Sequence, residues 1–247
     1  MGRKRKNPLI IRKNPIDVAK MVIEDVRSHS SDCIVMMSLG KDAIVTLDLL
    51  YDRFDRIVCV FMYLVKDLEH IKRWIDWLIA RYPRVEFEQI PHWNTTYNLR
   101  FGVYCTPNPK VRVLNLSMVV KSLKKRFGIG YVFFGMKKAD SMSRRLMLMS
   151  YEQENFIHNG NCYPLVEFTQ KQVLQYMKLR HLPKPIMYSS TLYSETAEVG
   201  RASGGLSLDY DCFVWLRKNA PADLERIYKV FPQSRVILFK YDNKLQS

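Results

Sequence analysis

The stretch Cys33-Ile34-Val35-Met36-Met37-Ser38-Leu39-Gly40-Lys41-Asp42-Ala43 decides how this chain is read. Five consecutive apolar residues have the length of a strand buried on both faces. Ser38, Leu39 and Gly40 end the run, and apolar periodicity from Asp42 to Tyr51 predicts a helix directly after it. In open parallel sheets, ligands bind outside the carboxyl end of such a strand. Here Ser38 and Gly40 let backbone amides approach an anion. The helix N-terminus adds partial positive charge, and Lys41 adds a full one. These features suit phosphate binding, and they also suit a plain strand-to-helix turn. The loop is not a Walker A motif, because Val35 stands where the first glycine belongs, and no GxGxxG occurs.

The same alternation extends outward. A helix is predicted from Asp17 to Arg27, and Ile57 to Leu64 forms a second apolar run. Apolar residues at 68, 71, 74, 75, 78 and 79 predict a helix within 67–82, with Asp67 as its N-cap. Val85-Glu86-Phe87 is a third strand candidate. A helix from Val111 to Phe127 closes at Gly128, and a fourth strand, Tyr131 to Phe134, ends at Gly135. A further helix spans Ser141 to Met149. Continuous apolar strands alternating with helices predict an α/β fold: an open twisted parallel sheet of about five strands with helices on both faces. Beyond Pro164 the pattern becomes helical, at 169–180, 209–218 and 221–230. The loop Arg201-Ala202-Ser203-Gly204-Gly205 reads as an anion-binding lid or a surface loop.

Composition excludes several classes. Of 247 residues, 47% are apolar and 26% charged, too apolar for a disordered chain. No window approaches the ~18 apolar residues of a membrane span, and the basic N-terminus lacks the apolar core of a secretory signal. The net charge is +15, and residues 1–13 supply six positive charges and no negative one. Lys110 to Arg126 holds six more basic residues and no acidic one. This excess predicts a polyanionic partner, nucleic acid or a phosphorylated nucleotide. The five cysteines, Cys33, Cys59, Cys105, Cys162 and Cys212, are widely spaced and form no CxxC, which predicts buried thiols and a cytoplasmic location. His158 and His181 have no partners at metal-ligand spacing. His70, Trp74 and Trp77 form either a stacking site or helix packing. His92 to Thr96 is a candidate for adenine or substrate contact.

Strand-Ser38-x-Gly40-Lys41-Asp42-helix resembles the pyrophosphate loop of the adenine nucleotide α-hydrolase superfamily, in the form used by the phosphoadenosine phosphosulfate (PAPS) reductase family. Ala43 stands where the family has a last Ser. A second block, Gly135-Met136-Lys137-Lys138-Ala139-Asp140-Ser141-Met142-Ser143-Arg144-Arg145, resembles the family's G-x-R-x-x-E/D-S-x-x-R. Lys137 replaces its first Arg, which keeps the charge and loses the bidentate geometry. A third, Tyr163-Pro164-Leu165-Val166-Glu167-Phe168-Thr169, resembles Y-P-L-x-x-W/F-T. The likeness spans about residues 30–185.

Charge and pattern divide the chain into three expected parts: a basic arm (1–15), an α/β domain (16–165), nucleotide-binding by the resemblance, and a C-terminal helical extension packed on it (166–247). The resemblance implies ATP or PAPS bound through Ser38, Leu39, Gly40, Lys41, Asp42, Gly135, Lys137, Asp140, Ser141, Arg144 and Arg145. Lys41, Asp42 and Arg144 would be catalytic, with Asp42 holding Mg²⁺. Sulfonucleotide reductases attack sulfur with a cysteine in a C-terminal E-C-G-I/L-H-type segment, and the last cysteine here is Cys212, in Asp211-Cys212-Phe213. Paired cluster cysteines are also missing, so no iron–sulfur cluster is expected. Three functions remain open. One is ATP-dependent adenylation with pyrophosphate release, acting on nucleic acid. Another is sulfonucleotide reduction with a different thiol source. The third is non-catalytic binding of nucleotide or nucleic acid. A homodimer is compatible with each, and no membrane partner is expected.

Overall fold

The computed structural model describes residues 14–185 and 208–242. Residues 1–13 of the basic arm and the Arg201–Gly205 loop lie outside these. The described chain begins with α1 (Pro15–Arg27), whose N-cap Asn14 accepts from the Ile16 amide. Then follow β1 (Asp32–Met37), α2 (Lys41–Tyr51), β2 (Arg56–Tyr63), α3 (Glu69–Arg81) and β3 (Val85–Pro91). The chain crosses back through α4 (Trp93–Phe101) and α5 (Leu116–Phe127) to β4 (Val132–Phe133). After α6 (Met142–Ser150) come β5 (Ile157–His158) and β6 (Asn161–Cys162). The helices α7 (Gln170–Leu179), α8 (Tyr210–Asn219), α9 (Pro221–Val230) and α10 (Val236–Asp242) complete it.

The sheet has six strands in the order β3-β2-β1-β4-β6-β5, parallel except for the β5–β6 pair. The sequence predicts about five, all parallel. The difference is a two-residue hairpin turned by Asn159 and Gly160, both at positive φ (50° and 70°). Such a turn matches strand twist and needs left-handed residues, which Asn-Gly supplies. The central strands are the predicted apolar runs: β1 and β2 are buried along nearly their whole length. The edge strand β3 runs seven residues, beyond the three predicted, and its exposure varies along the strand as successive side chains point to opposite faces of the sheet. Right-handed crossovers place α2 and α3 on one face and α5 on the other, so helices flank both faces.

Local sequence misjudges two helix starts. Val111 to Leu114 is loop, with the Leu114 amide donating to Thr96 Oγ1, and α5 starts after its cap Asn115. Asp67 does not cap α3; it sits in the left-handed region (φ 60°), and Leu68 occupies the cap position without a side-chain bond. The cap comes from elsewhere in the chain. The Asp223 carboxylate on α9 accepts the Glu69 and His70 amides, each at 2.9 Å, and lies 2.7 Å from His70 Nδ1. Arg226 pairs with the same carboxylate at 3.0 Å and donates to the Asp67 carbonyl at 2.7 Å. An anion at a helix N-terminus answers both the orphan amides and the helix dipole. Asp223 thereby joins α9 to the sheet's helical layer. On the same layer, buried Asp48 of α2 accepts Tyr82 Oη (3.0 Å), Tyr176 Oη (2.7 Å) and Arg180 Nε (2.9 Å), fixing α7 on α2.

The Asp223 cluster carries a pH signature. Burial lowers the His70 pKa despite the opposing pull of Asp223. Burial raises the Asp223 carboxyl, and its amide and imidazole partners outweigh that and hold it below its usual value. Both groups therefore bind fewer protons folded than unfolded. The stability from His70 is complete above its unfolded pKa of ~6.5 and is lost as pH falls through the lower folded value. The melting temperature should fall between about pH 7 and pH 5, and fall less steeply in His70→Gln, which keeps a donor for Asp223 without titrating. Equal slopes in the two proteins would remove His70 from this account.

Candidate functional site

The strand order reverses between β1 and β4, because β2 and β3 lie on one side of β1 and β4 and β6 on the other. Such a switch point opens a crevice at the carboxyl ends of the two strands. Both predicted blocks are placed there, one after β1 and one after β4.

The first block turns sharply. Leu39 adopts φ 60°, Ser38 Oγ accepts the Gly40 amide at 3.3 Å, and Gly40 caps α2 with extended backbone and no side chain. The first turn of α2 thus has no side-chain cap, unlike α1, α4, α5, α6, α7 and α8. Lys41, its first residue, is only 3% exposed. In the second block the Asp140 carboxylate accepts the Lys137 amide at 3.0 Å. Ser141 caps α6 by accepting the Arg144 amide at 3.2 Å. The Lys138 amide donates to the Val166 carbonyl at 3.0 Å and its ammonium pairs with Glu167, so the third predicted segment backs the second block.

A chain of charges joins the blocks. Lys41 Nζ lies 3.0 Å from Asp42 Oδ2. Lys137 Nζ lies 2.7 Å from Asp42 Oδ1 and 2.7 Å from Asp140 Oδ1. Arg144 reaches Asp140 Oδ2 at 2.7 Å. The Lys137–Asp42 contact is an ion pair outside hydrogen-bonding angles, which leaves Asp42 Oδ1 buried with no hydrogen-bond partner. Lys137 is 2% exposed and Arg144 lies half in solvent. Burial raises the Asp140 carboxyl, and Lys137 and Arg144 outweigh that and hold it below the usual range. Gly135 brings the backbones together: a Cβ there would sit 2.8 Å from the Asp42 carbonyl carbon and 3.0 Å from the Ala43 nitrogen.

Most predicted residues therefore converge: Ser38, Leu39, Gly40, Lys41 and Asp42 meet Gly135, Lys137, Asp140 and Arg144. Ser141 serves as the α6 cap, and Arg145 turns to the Lys138 carbonyl at 3.4 Å. His92 lies at the end of β3, beyond β2 from β1, where its ring accepts the Asn94 amide and caps α4. Both oxygens of Asp42 face ammonium groups, so the carboxylate does not fit a magnesium ion. Among the described residues, no group of three or more His, Cys, Asp or Glu is placed to hold a metal. All five cysteines are buried thiols outside any disulfide, on β1, β2, the loop after α4, β6 and α8. Burial raises the thiol pKa at Cys33, Cys59, Cys105 and Cys162, the last to about 12. Trp74 packs on Trp77 and bonds back to the Leu39 carbonyl in the loop after β1, a contact that α3 periodicity does not reveal.

A switch-point crevice, an α2 N-terminus without a side-chain cap and converging lysines define a nucleotide-binding α/β protein. The chain belongs to the phosphoadenosine phosphosulfate reductase domain family, whose model matches residues 32–194, and so to the adenine nucleotide α-hydrolase superfamily. A search of curated proteins finds no match. Among solved structures the chain is similar to phosphoadenylyl-sulfate (PAPS) reductase from Candida auris in a phosphate complex. That match has 12% identity and a TM-score of 0.45, and it covers 74% of this chain and 92% of that one. No described helix is long and apolar enough to cross a membrane.

The Gly135 contact makes a direct prediction. Gly135→Ala should destabilise the fold by roughly 1–3 kcal/mol, the cost of inserting a carbon into a packed site. It should also push the two blocks apart. A denaturant midpoint equal to the wild type's would show that the backbones do not approach this closely.

Proposed function

We propose that the β1/β4 crevice binds the phosphates of an adenine nucleotide, and that the chemistry done there is at the α-phosphate: ATP-dependent adenylation with pyrophosphate release. One observation carries the reading. The chain Lys41–Asp42–Lys137–Asp140–Arg144 assembles two sequence blocks about 95 residues apart at one anion-ready helix N-terminus. Phosphoryl chemistry asks mainly for positioning and charge neutralisation. Lys41 and Lys137 sit in a site nearly closed to water, where charge acts strongly. Arg144, partly exposed, can turn to the leaving group. A substrate oxygen forms its bond to the α-phosphorus as the bond to the bridging oxygen of pyrophosphate breaks. Pyrophosphate leaves with the electron pair, and the hydroxyl proton passes to water.

The thiols support the same choice over sulfur reduction by a residue of the described chain. A nucleophilic cysteine needs an accessible, low-pKa thiolate, and all five here are buried. The net charge of +15 favours a polyanionic substrate, nucleic acid, whose backbone attraction weakens with salt. On α5, Lys121 and Lys125 are exposed, while Lys124 donates to the Asn159 carbonyl and Arg126 pairs with Glu88.

Lys41→Ala should weaken ATP binding by about 1.5–3 kcal/mol, the scale of a hydrogen bond to a charged group. Calorimetry checks this, and an unchanged affinity would remove the phosphate-loop assignment. For turnover, a variant with all five cysteines changed to Ala or Ser should keep releasing pyrophosphate in the presence of nucleic acid, provided circular dichroism shows it folded. Arg144→Ala should slow release by more than about tenfold, or ~1.4 kcal/mol of transition-state stabilisation. Loss of activity in the folded cysteine-free protein, or release of sulfite from PAPS with an added thiol, would favour sulfonucleotide reduction instead.

A further inference from the structure

We propose that Trp74, on α3 and outside the three motif-like segments at 38–43, 135–145 and 163–169, is the positioning residue for the phosphate loop. Leu39 is a non-glycine residue held at φ 60°. A branched side chain stays in that region only where its surroundings impose it. Two features impose it here. The Leu39 side chain is 1% exposed, seated in the core, and its carbonyl accepts a hydrogen bond from Trp74 Nε1 at 2.9 Å. The indole is itself held, stacked on Trp77 with ring centroids 4.7 Å apart and planes 13° from parallel. The helix that carries both rings is pinned at its N-terminus by Asp223.

The planar trans peptide transmits this anchor. Across the Leu39–Gly40 bond the carbonyl and the N–H point in opposite directions. Holding the carbonyl on the α3 side therefore turns the Gly40 amide away from α3, toward Ser38 Oγ. Gly40 also caps α2, so the direction of its peptide sets how the helix N-terminus meets an anion. Trp74 acts on the loop through the Leu39 carbonyl. The effect on ligand binding rests on the phosphate-loop reading above, whereas the effect on the loop does not.

The test compares Trp74→Phe, which removes the indole donor and keeps an aromatic ring, with Trp77→Phe, which disturbs the same stack and keeps the donor. Hydrogen exchange of residues 38–42 without ligand should quicken by about tenfold in Trp74→Phe and stay near wild type in Trp77→Phe, as expected for one local hydrogen bond lost. ATP affinity, read by calorimetry, should fall roughly fivefold in Trp74→Phe alone. Unchanged loop exchange in Trp74→Phe, equal effects in the two variants, or faster exchange with full ATP affinity would each overturn the assignment. If the wild type does not bind ATP, the nucleotide reading fails while loop exchange still decides the anchoring role of Trp74. Should Trp74→Phe not fold, the indole Nε1–H resonance of the wild type decides instead. Slow exchange and a shift on adding ATP support the role, and a fast-exchanging, unshifted signal overturns it.

Discussion

The ammonium of Lys137 is 2% exposed, and a charge so far from water is tolerated only with close counter-charges. Asp42 and Asp140 supply them, one from each side of the switch point, at 2.7 Å each. That requirement ties the end of β1 to the end of β4, two strands in register only at Ile34–Val132 and Val35–Phe133. Lys41 and Arg144 extend the chain outward, and Gly135 keeps the backbones close enough for it to form. Asp42, Lys137 and Asp140 each face two opposite charges, so removing any one member takes a counter-charge from its neighbours and weakens the array as a unit.

The parts of the fold legible in the sequence are those set by local pattern. Continuous apolar runs gave β1 and β2 because strands covered on both faces need no alternation. The two site blocks were legible as strand ends followed by small residues and cations. The Asn159-Gly160 hairpin carried a signal in its dipeptide but flanks strands of only two residues, too short for any periodicity to show. Three features had no local signal at all. The cap of α3 lies about 150 residues away on α9, while Asp67, the residue that local rules favour, adopts a left-handed turn. Asp48 reads as one polar residue on a helix until Tyr82, Tyr176 and Arg180 gather on it. The Trp74–Leu39 bond joins a helix face to a loop backbone. Each depends on where elements meet, and a residue-by-residue pattern does not contain that.

The buried thiols and the buried Lys137 differ in what surrounds them. Apolar surroundings push Cys33, Cys59 and Cys162 toward the neutral thiol, which is unreactive. Lys137 is as deeply buried, but it lies 2.7 Å from each of two carboxylates, Asp42 and Asp140. Charge at the crevice therefore comes from a preorganised ammonium–carboxylate array, while the sulfur atoms serve as core filling.

The edge strand β3 has a consequence for how copies of the chain meet. Among the described residues its outer rim has no strand neighbour, the kind of template on which a second chain can add a strand. Glu86 and Glu88 project from it and are drawn into ion pairs with Arg56 and Arg126, and Pro91 ends it without a donor. The opposite edge, β5, is only two residues long. With Glu86 and Glu88 in ion pairs along one margin and the other only two residues long, neither rim of the described sheet is the long, uncharged edge on which strands readily add.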